Sequence, residues 1–86
     1  MYKHFILDRD GTLIKHVPYL FEKAKVELIN GTIEAIRLLL EKNINVYLHT
    51  NQSGVGRGYY TINDVEECNN RMIDLIGFGQ NIFKEI

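Results

Sequence analysis

Two carboxylates stand where an apolar segment of the sequence ends. Phe5–Leu7 leads directly into Asp8 and Asp10, which are separated by one residue and followed by Gly11. In extended backbone, side chains at positions i and i+2 share a face, with Cα atoms roughly 6–7 Å apart. We therefore expect both carboxyl groups to face one small volume, and Gly11 lets the chain turn away. Because carboxylates held this close repel each other, such a pair usually serves a cation or a reaction.

A second polar segment, residues 50–58, comes after another apolar run and offers several donors to an anion. Thr50 and Asn51 supply hydroxyl and amide groups, and Ser53 supplies a further hydroxyl. Arg57 stands between two glycines, where a guanidinium suits an anionic substrate. Ligands of parallel sheets bind outside the carboxyl ends of the strands. We therefore expect the two polar segments to converge.

Together, the two segments suit phosphoryl transfer. In this interpretation Asp8 attacks phosphorus and forms an acyl-phosphate, while Asp10 protonates the leaving alkoxide and later deprotonates water. Charge opposes the attack, since two unit charges about 4 Å apart repel by about 4 kcal/mol at an effective dielectric of about 20. Magnesium offsets this repulsion and favours carboxylate, carbonyl and phosphate oxygens. We expect a magnesium ion beside Asp8 and Asp10.

Each segment taken alone also fits a simpler role. The paired carboxylates suit a turn in which side chains cap backbone N–H groups, the second segment suits an ordinary polar loop, and Arg57 suits a solvated surface position. A calcium loop of the EF-hand type does not fit, because Leu13 occupies the position that requires glycine. The combination is the specific signal, since each segment comes directly after an apolar strand pattern.

The apolar periodicity predicts the elements that position these segments. Strands are predicted over residues 3–8 and 44–49, helices over about 31–42 and 61–76, and a third strand from about residue 81. This order predicts an α/β fold with a parallel sheet and right-handed crossovers. The long connection over residues 9–29 suits a lid or a binding loop.

Local signals set the ends and faces of the two helices. Residues 30–32 offer caps for the first helix, residues 61–64 resemble a capping box for the second, and Gly77 ends the second. The apolar stripe of the second helix predicts a buried face made of Ile62, Val65, Cys68 or Asn69, Met72, Ile73 and Ile76.

Composition bounds the class of protein. The 86 residues make one small domain, and a net charge of −1 with scattered basic residues gives no sign of nucleic-acid or membrane partners. The single cysteine, Cys68, fits a reducing compartment, and its place on a helix face suits the core better than catalysis. The sequence opens without a signal-peptide pattern, so we expect a cytoplasmic protein. The three histidines show no ligand spacing.

The polar segments resemble known motifs. Residues 5–12 resemble the first motif of the haloacid dehalogenase (HAD) superfamily of phosphotransferases, and residues 50–54 resemble the second. Residues 18–20, 26–31 and 53–61 are similar to the branch that contains D-glycero-D-manno-heptose 1,7-bisphosphate 7-phosphatase and histidinol-phosphate phosphatase. The resemblance implies a HAD-like (Rossmann-like) three-layer fold and a magnesium-dependent sugar-phosphate hydrolase. Such enzymes commonly serve heptose supply for lipopolysaccharide.

The resemblance also implies a role for each site residue. Asp8 is implied as nucleophile and magnesium ligand, and Asp10 as acid and base with its backbone carbonyl on magnesium. In the second segment, Thr50 and Asn51 are implied as phosphate binders. Ser53 and Arg57 are implied to lie in the loop that meets the rest of the substrate. Residues 56–60 favour heptose bisphosphate over histidinol phosphate. Polynucleotide 3′-phosphatases share the first motif, but the basic surface that their substrate needs is lacking.

The sequence departs from this family beyond the third strand. Family members carry there a Cys/His loop that binds zinc, a lysine that steadies the phosphate, and acidic residues that complete the magnesium site. Because these are absent, we expect residues 1–86 to form the N-terminal half of such a domain. Half a doubly wound sheet leaves an apolar face unpaired, so we expect self-association, another chain, or a longer chain to cover it. The alternative is a non-catalytic module that binds phosphate or a partner.

Overall fold

Three parallel strands form one sheet in the order β1-β2-β3. The computed structural model describes residues 4–18, 20–50 and 53–85. The strands are β1 (His4–Asp8), β2 (Asn45–His49) and β3 (Phe83–Glu85). The helices are α1 (Thr32–Glu41), α2 (Ser53–Gly56) and α3 (Ile62–Ile76), and a 3₁₀ turn covers Lys23–Lys25. The predicted order of strands and helices is confirmed.

The core lies on one face of the sheet. It includes Ile36 of α1 and Met72 of α3 together with Val46 and Leu48 of β2, so both helices pack on the face that carries these two strand residues. Consecutive strands joined by right-handed crossovers place their helices on the same side of a sheet. The described residues therefore form the sheet and one helical layer of the expected three-layer fold.

The strand β1 is an edge strand with exposed apolar side chains. It pairs with β2 in parallel from His4 opposite Asn45 to Asp8 opposite His49. Phe5 is 47% exposed and Ile6 is 74% exposed. The expectation that this apolar run forms a buried strand is therefore wrong for these two residues, because the described residues leave their side chains uncovered.

Local signals predicted α3 better than α1. Thr61 and Asp64 form the expected capping box, with each side chain accepting from the other residue's backbone N–H. The buried face of α3 is as predicted except for Ile62, which is 58% exposed as the first residue of the helix. At α1, Gly31 precedes the helix with φ 93° and no side-chain cap. Thr32 instead donates its hydroxyl to the Leu13 carbonyl at 2.8 Å.

The long connection after β1 folds back on itself. The backbone N–H of Lys15 donates to the Glu27 carbonyl at 2.8 Å, and that of Ile29 donates to the Leu13 carbonyl at 3.0 Å. The side chains of Lys15 and Glu27 form an exposed ion pair. These bonds hold the start of the connection against its end. No helix within the described residues is long and apolar enough to cross a membrane.

Candidate active site

The register of β1 and β2 brings the two polar segments to the same edge of the sheet. Asp8 lies opposite His49, and the Arg9 backbone N–H donates to the His49 carbonyl at 3.1 Å. Neighbouring strands are about 4.8 Å apart, so Thr50, the residue after β2, begins the second segment beside the first. The described backbone thus places the start of the second segment beside the end of the first, and the convergence of the remaining site residues stays a prediction.

A tight turn after β1 sets the direction of Asp10. The Arg9 carbonyl accepts from the N–H groups of Leu13 and Ile14 at 3.0 and 3.1 Å, and the Gly11 N–H donates to the Ile14 carbonyl at 2.9 Å. Gly11 has φ 79°, which a residue with a side chain rarely adopts. The glycine is therefore required by the turn that carries Asp10 past the end of the strand.

The two carboxylates have different surroundings. Asp8 is exposed at the end of β1. The Asp10 side chain retains 23% of its exposure and pairs with Arg9, whose Nη2 lies 3.2 Å from Oδ2 of Asp10. Nε of Arg9 also donates to Oδ2 at 3.2 Å. The carboxylate open to an incoming group is thus that of Asp8, and the carboxylate held in place by the protein is that of Asp10.

The sequence interpretation missed the role of Arg9. Its side chain is 3% exposed, and its Nη1 donates to Oδ1 of Asn69 on α3 at 3.0 Å. Two signals pointed to it: an arginine at the end of an apolar strand, and an asparagine within the apolar stripe of a helix. Since charged side chains are seldom fully buried unless paired, Arg9 needed an acceptor from elsewhere in the chain.

The second polar segment is placed only in part by the described residues. Thr50 is half-buried directly after β2. Asn51 and the side chain of Ser53 lie outside the described residues, so their predicted contacts with a substrate stay predictions. Arg57 is exposed in the turn after α2. The segment is not wholly loop, as the sequence suggested, because residues 53–56 form one helical turn that closes with the Gly58 N–H on the Val55 carbonyl at 3.1 Å.

The donor set at the end of β1 suits magnesium. Asp8 offers an exposed carboxylate there, and magnesium is usually held by one or two carboxylates with phosphate and water completing the shell. No group of three or more His, Cys, Asp and Glu side chains within the described ranges is arranged to hold a metal. A magnesium ion here would therefore depend on the phosphate and on water for most of its ligands.

Cys68 belongs to the core, as its place in the helix pattern predicted. Its side chain is fully buried in the layer between α3 and the sheet. Burial raises the pKa of the Cys68 thiol, an effect that the Arg9 guanidinium partly opposes. A buried thiol with a raised pKa is a poor nucleophile. This residue is therefore structural.

Comparison with known proteins identifies relatives for both sequence and fold. The chain is 35% identical over 82 residues to the D-glycero-D-manno-heptose-1,7-bisphosphate 7-phosphatase of Chlorobaculum tepidum, covering 94% of the chain and 41% of that protein. It is 43% identical over 61 residues to the D-glycero-beta-D-manno-heptose-1,7-bisphosphate 7-phosphatase of Haemophilus influenzae, covering 71% and 33%. No protein-family model matches the chain.

A solved structure shares the fold. The D,D-heptose 1,7-bisphosphate phosphatase from B. bronchiseptica, complexed with magnesium and phosphate, superposes with a TM-score of 0.86 at 26% identity, covering 98% of this chain and 48% of that one. The chain thus spans less than half of the length of each of these three proteins.

The parallel sheet and the motifs at its strand ends indicate the class: the chain resembles part of the α/β domain of HAD-like phosphatases. Within that class, sequence and fold both place the resemblance in the heptose bisphosphate phosphatase branch.

Proposed function

We propose that the chain provides the nucleophile half of a magnesium-dependent phosphatase acting on a sugar phosphate. The observation that carries this proposal is the register of β1 and β2, with an exposed Asp8 carboxylate at the strand end and Thr50 beginning the adjacent segment. The relatives, which are named as phosphatases, support the same activity. A second chain or a longer form of this one would complete the site, since the relatives are more than twice as long.

The chemistry depends on the different surroundings of the two carboxylates. Asp8 attacks phosphorus and forms a phosphoaspartyl intermediate as the P–O bond to the sugar breaks. Asp10 gives a proton to the departing sugar oxygen and then takes one from the water that attacks the intermediate. Magnesium, when bound by Asp8 and the Asp10 carbonyl, would neutralise the charge on the phosphate oxygens. Thr50 and Asn51 would donate to those oxygens.

We propose D-glycero-D-manno-heptose 1,7-bisphosphate as the substrate, cleaved at the 7-phosphate. The names of the relatives support this choice over histidinol phosphate. Arg57, exposed in the turn after α2, would meet the second phosphate or the sugar with Ser53. A role in lipopolysaccharide supply and a cytoplasmic location stay predictions.

The alternative is a non-catalytic function, and it is suggested by the small share of the relatives' length that the chain covers. A chain that lacks the family's lysine and later acidic residues can hold phosphate beside β1 and β2 without turning it over. In that case the chain would act as a phosphate- or partner-binding module. Binding and turnover therefore need separate measurements.

The test is phosphate release from a panel of sugar phosphates with and without magnesium, together with binding of inorganic phosphate and magnesium monitored by ³¹P NMR. We expect Asp8→Asn to lower release by more than about a thousandfold, because the nucleophile is lost. Asp74→Asn is the matched control, since Asp74 is exposed on α3 and accepts from Gln80.

Each outcome decides between the two functions. Release that needs magnesium and is lost only in Asp8→Asn supports the phosphatase. Binding of phosphate without release supports the module. Equal release by Asp8→Asn and the unchanged chain removes Asp8 as nucleophile, and failure to bind either phosphate or magnesium overturns both functions.

A further inference from the structure

The side chain of Arg9 is a buried cation at the edge of the candidate site. It retains 3% of its exposure, and its neighbour Asp10 retains 23%. Burying a guanidinium is costly unless its donors are paired. The contacts of Arg9 therefore explain why it is tolerated in the core.

Arg9 is held from two directions. Its Nε and Nη2 donate to the two carboxylate oxygens of Asp10 at 3.2 and 3.4 Å, which is a forked contact. Its Nη1 donates in another direction, to Oδ1 of Asn69 at 3.0 Å. A guanidinium is planar and its donors have fixed directions. The bond to Asn69 consequently fixes the plane in which Arg9 meets the Asp10 carboxylate.

Asn69 is a rigid anchor for this contact. It is 5% exposed and lies in α3 between two fully buried residues, Cys68 and Met72. The helix is capped at Thr61 and packed against the sheet, so the Asn69 side chain has little freedom. Asn69 is 60 residues from Arg9 in the sequence. The anchor thus comes from an element that is far from β1 in the sequence.

We propose that Arg9 and Asn69 are positioning residues for Asp10, with α3 setting the orientation of the carboxylate through Asn69 and then Arg9. This rests on the proposed function, in which Asp10 exchanges protons with the sugar oxygen and with water. Proton transfer needs the donor and acceptor within hydrogen-bond reach, and small displacements of a reacting group reduce turnover strongly. Neither residue touches the substrate in this proposal.

Three variants separate positioning from simple stabilisation. Asn69→Leu keeps the size of the side chain but removes the oxygen that Nη1 of Arg9 uses. Asn69→Asp keeps that oxygen and serves as the rescue variant. Asn70→Leu is the matched control, because Asn70 is the next residue of α3 and is exposed.

Two measurements are made on each variant of the full chain: kcat and KM for magnesium-dependent phosphate release, and the NMR signal of the Asp10 carboxyl carbon. For Asn69→Leu we expect kcat to fall by about 10- to 100-fold with KM unchanged, and the carboxyl signal to shift or broaden. Asn69→Asp and Asn70→Leu are expected to keep both values. A purely structural role would not shift the signal in a variant that remains folded by circular dichroism.

The two proposals fail in different ways. If the unchanged chain releases no phosphate, the phosphatase function fails and the NMR signal alone decides the role of Asn69. An unchanged Asp10 signal in folded Asn69→Leu would overturn the positioning role. If Asn69→Leu does not fold, the smaller Asn69→Ala decides by the same measurement: an unchanged Asp10 signal in the folded variant overturns the positioning role, and a shifted signal supports it.

Discussion

The two faces of the sheet differ in how much of their apolar surface is covered. On one face, Val46 and Leu48 of β2 are buried beneath α1 and α3. On the other, Ile6 of β1 is largely exposed, and Tyr47 beside it is half-buried against the His4 ring, with 5.6 Å between ring centres. Adjacent residues of paired strands share a face, so this second face is open along β1 and β2.

The open face belongs to the strand that carries the candidate nucleophile. Parallel sheets in α/β proteins are normally covered by helices on both faces. The covered face holds the core, whereas the open face adds little to the folding of these residues. The described residues therefore contain the segments at the ends of the strands. The open face of the sheet would have to be covered by residues other than these. This agrees with a chain that spans less than half of its relatives.

The largest change in the free energy of unfolding is expected for a substitution on the covered face. Met72 is fully buried in the core cluster, so Met72→Ala should lower the free energy of unfolding by about 2–5 kcal/mol through lost burial and a cavity. Urea unfolding measures the change. Leu38→Ala on α1 is the control, since Leu38 is 52% exposed and its loss should cost less than about 0.5 kcal/mol. Equal losses in the two variants would show that the outer side of α1 is also covered.

A smaller effect on the stability of the chain is expected from Cys68 on the covered face. Burial raises the pKa of its thiol, although the positive Arg9 nearby acts in the opposite direction. A group whose pKa is higher in the folded state contributes stability below its unfolded pKa, about 8.5 for a free thiol, and loses that contribution as the pH rises through the folded pKa. We expect the stability of the chain to fall as the pH rises above the free thiol value of about 8.5, and to fall less steeply in Cys68→Ala. Parallel slopes in urea unfolding at several pH values would contradict this.

The sequence predicted what local patterns determine. Thr61 and Asp64 are three residues apart, so the capping box needs no knowledge of the rest of the fold. The apolar stripe of α3 indicated its buried face in the same way. The common edge at which β1 and β2 end was a consequence of topology, because parallel strands end at one edge of their sheet.

What the sequence did not predict depends on distant partners. The contact between Arg9 and Asn69 joins residues that are 60 positions apart in the sequence, and no residue near Arg9 indicates which group accepts its hydrogen bond. Thr32 looked like a helix cap but bonds to Leu13, 19 residues before it. The exposure of Ile6 depends on which elements cover β1, and its own apolar segment predicted burial. These three cases share one cause, since tertiary contacts decided each of them.

The smallest effect on folding is expected on the open face, where a charge should be tolerated. Ile6→Lys changes an exposed side chain, so the free energy of unfolding should change by no more than about 0.5 kcal/mol. The same change should weaken self-association, because a lysine on an exposed strand opposes pairing with another chain. Sedimentation velocity over a dilution series measures association, and Val46→Lys on the covered face is the control that should fail to fold. If Ile6→Lys unfolds the chain as Val46→Lys does, the two faces are equally covered; if the unchanged chain stays monomeric at every concentration, the open face is not a self-association surface.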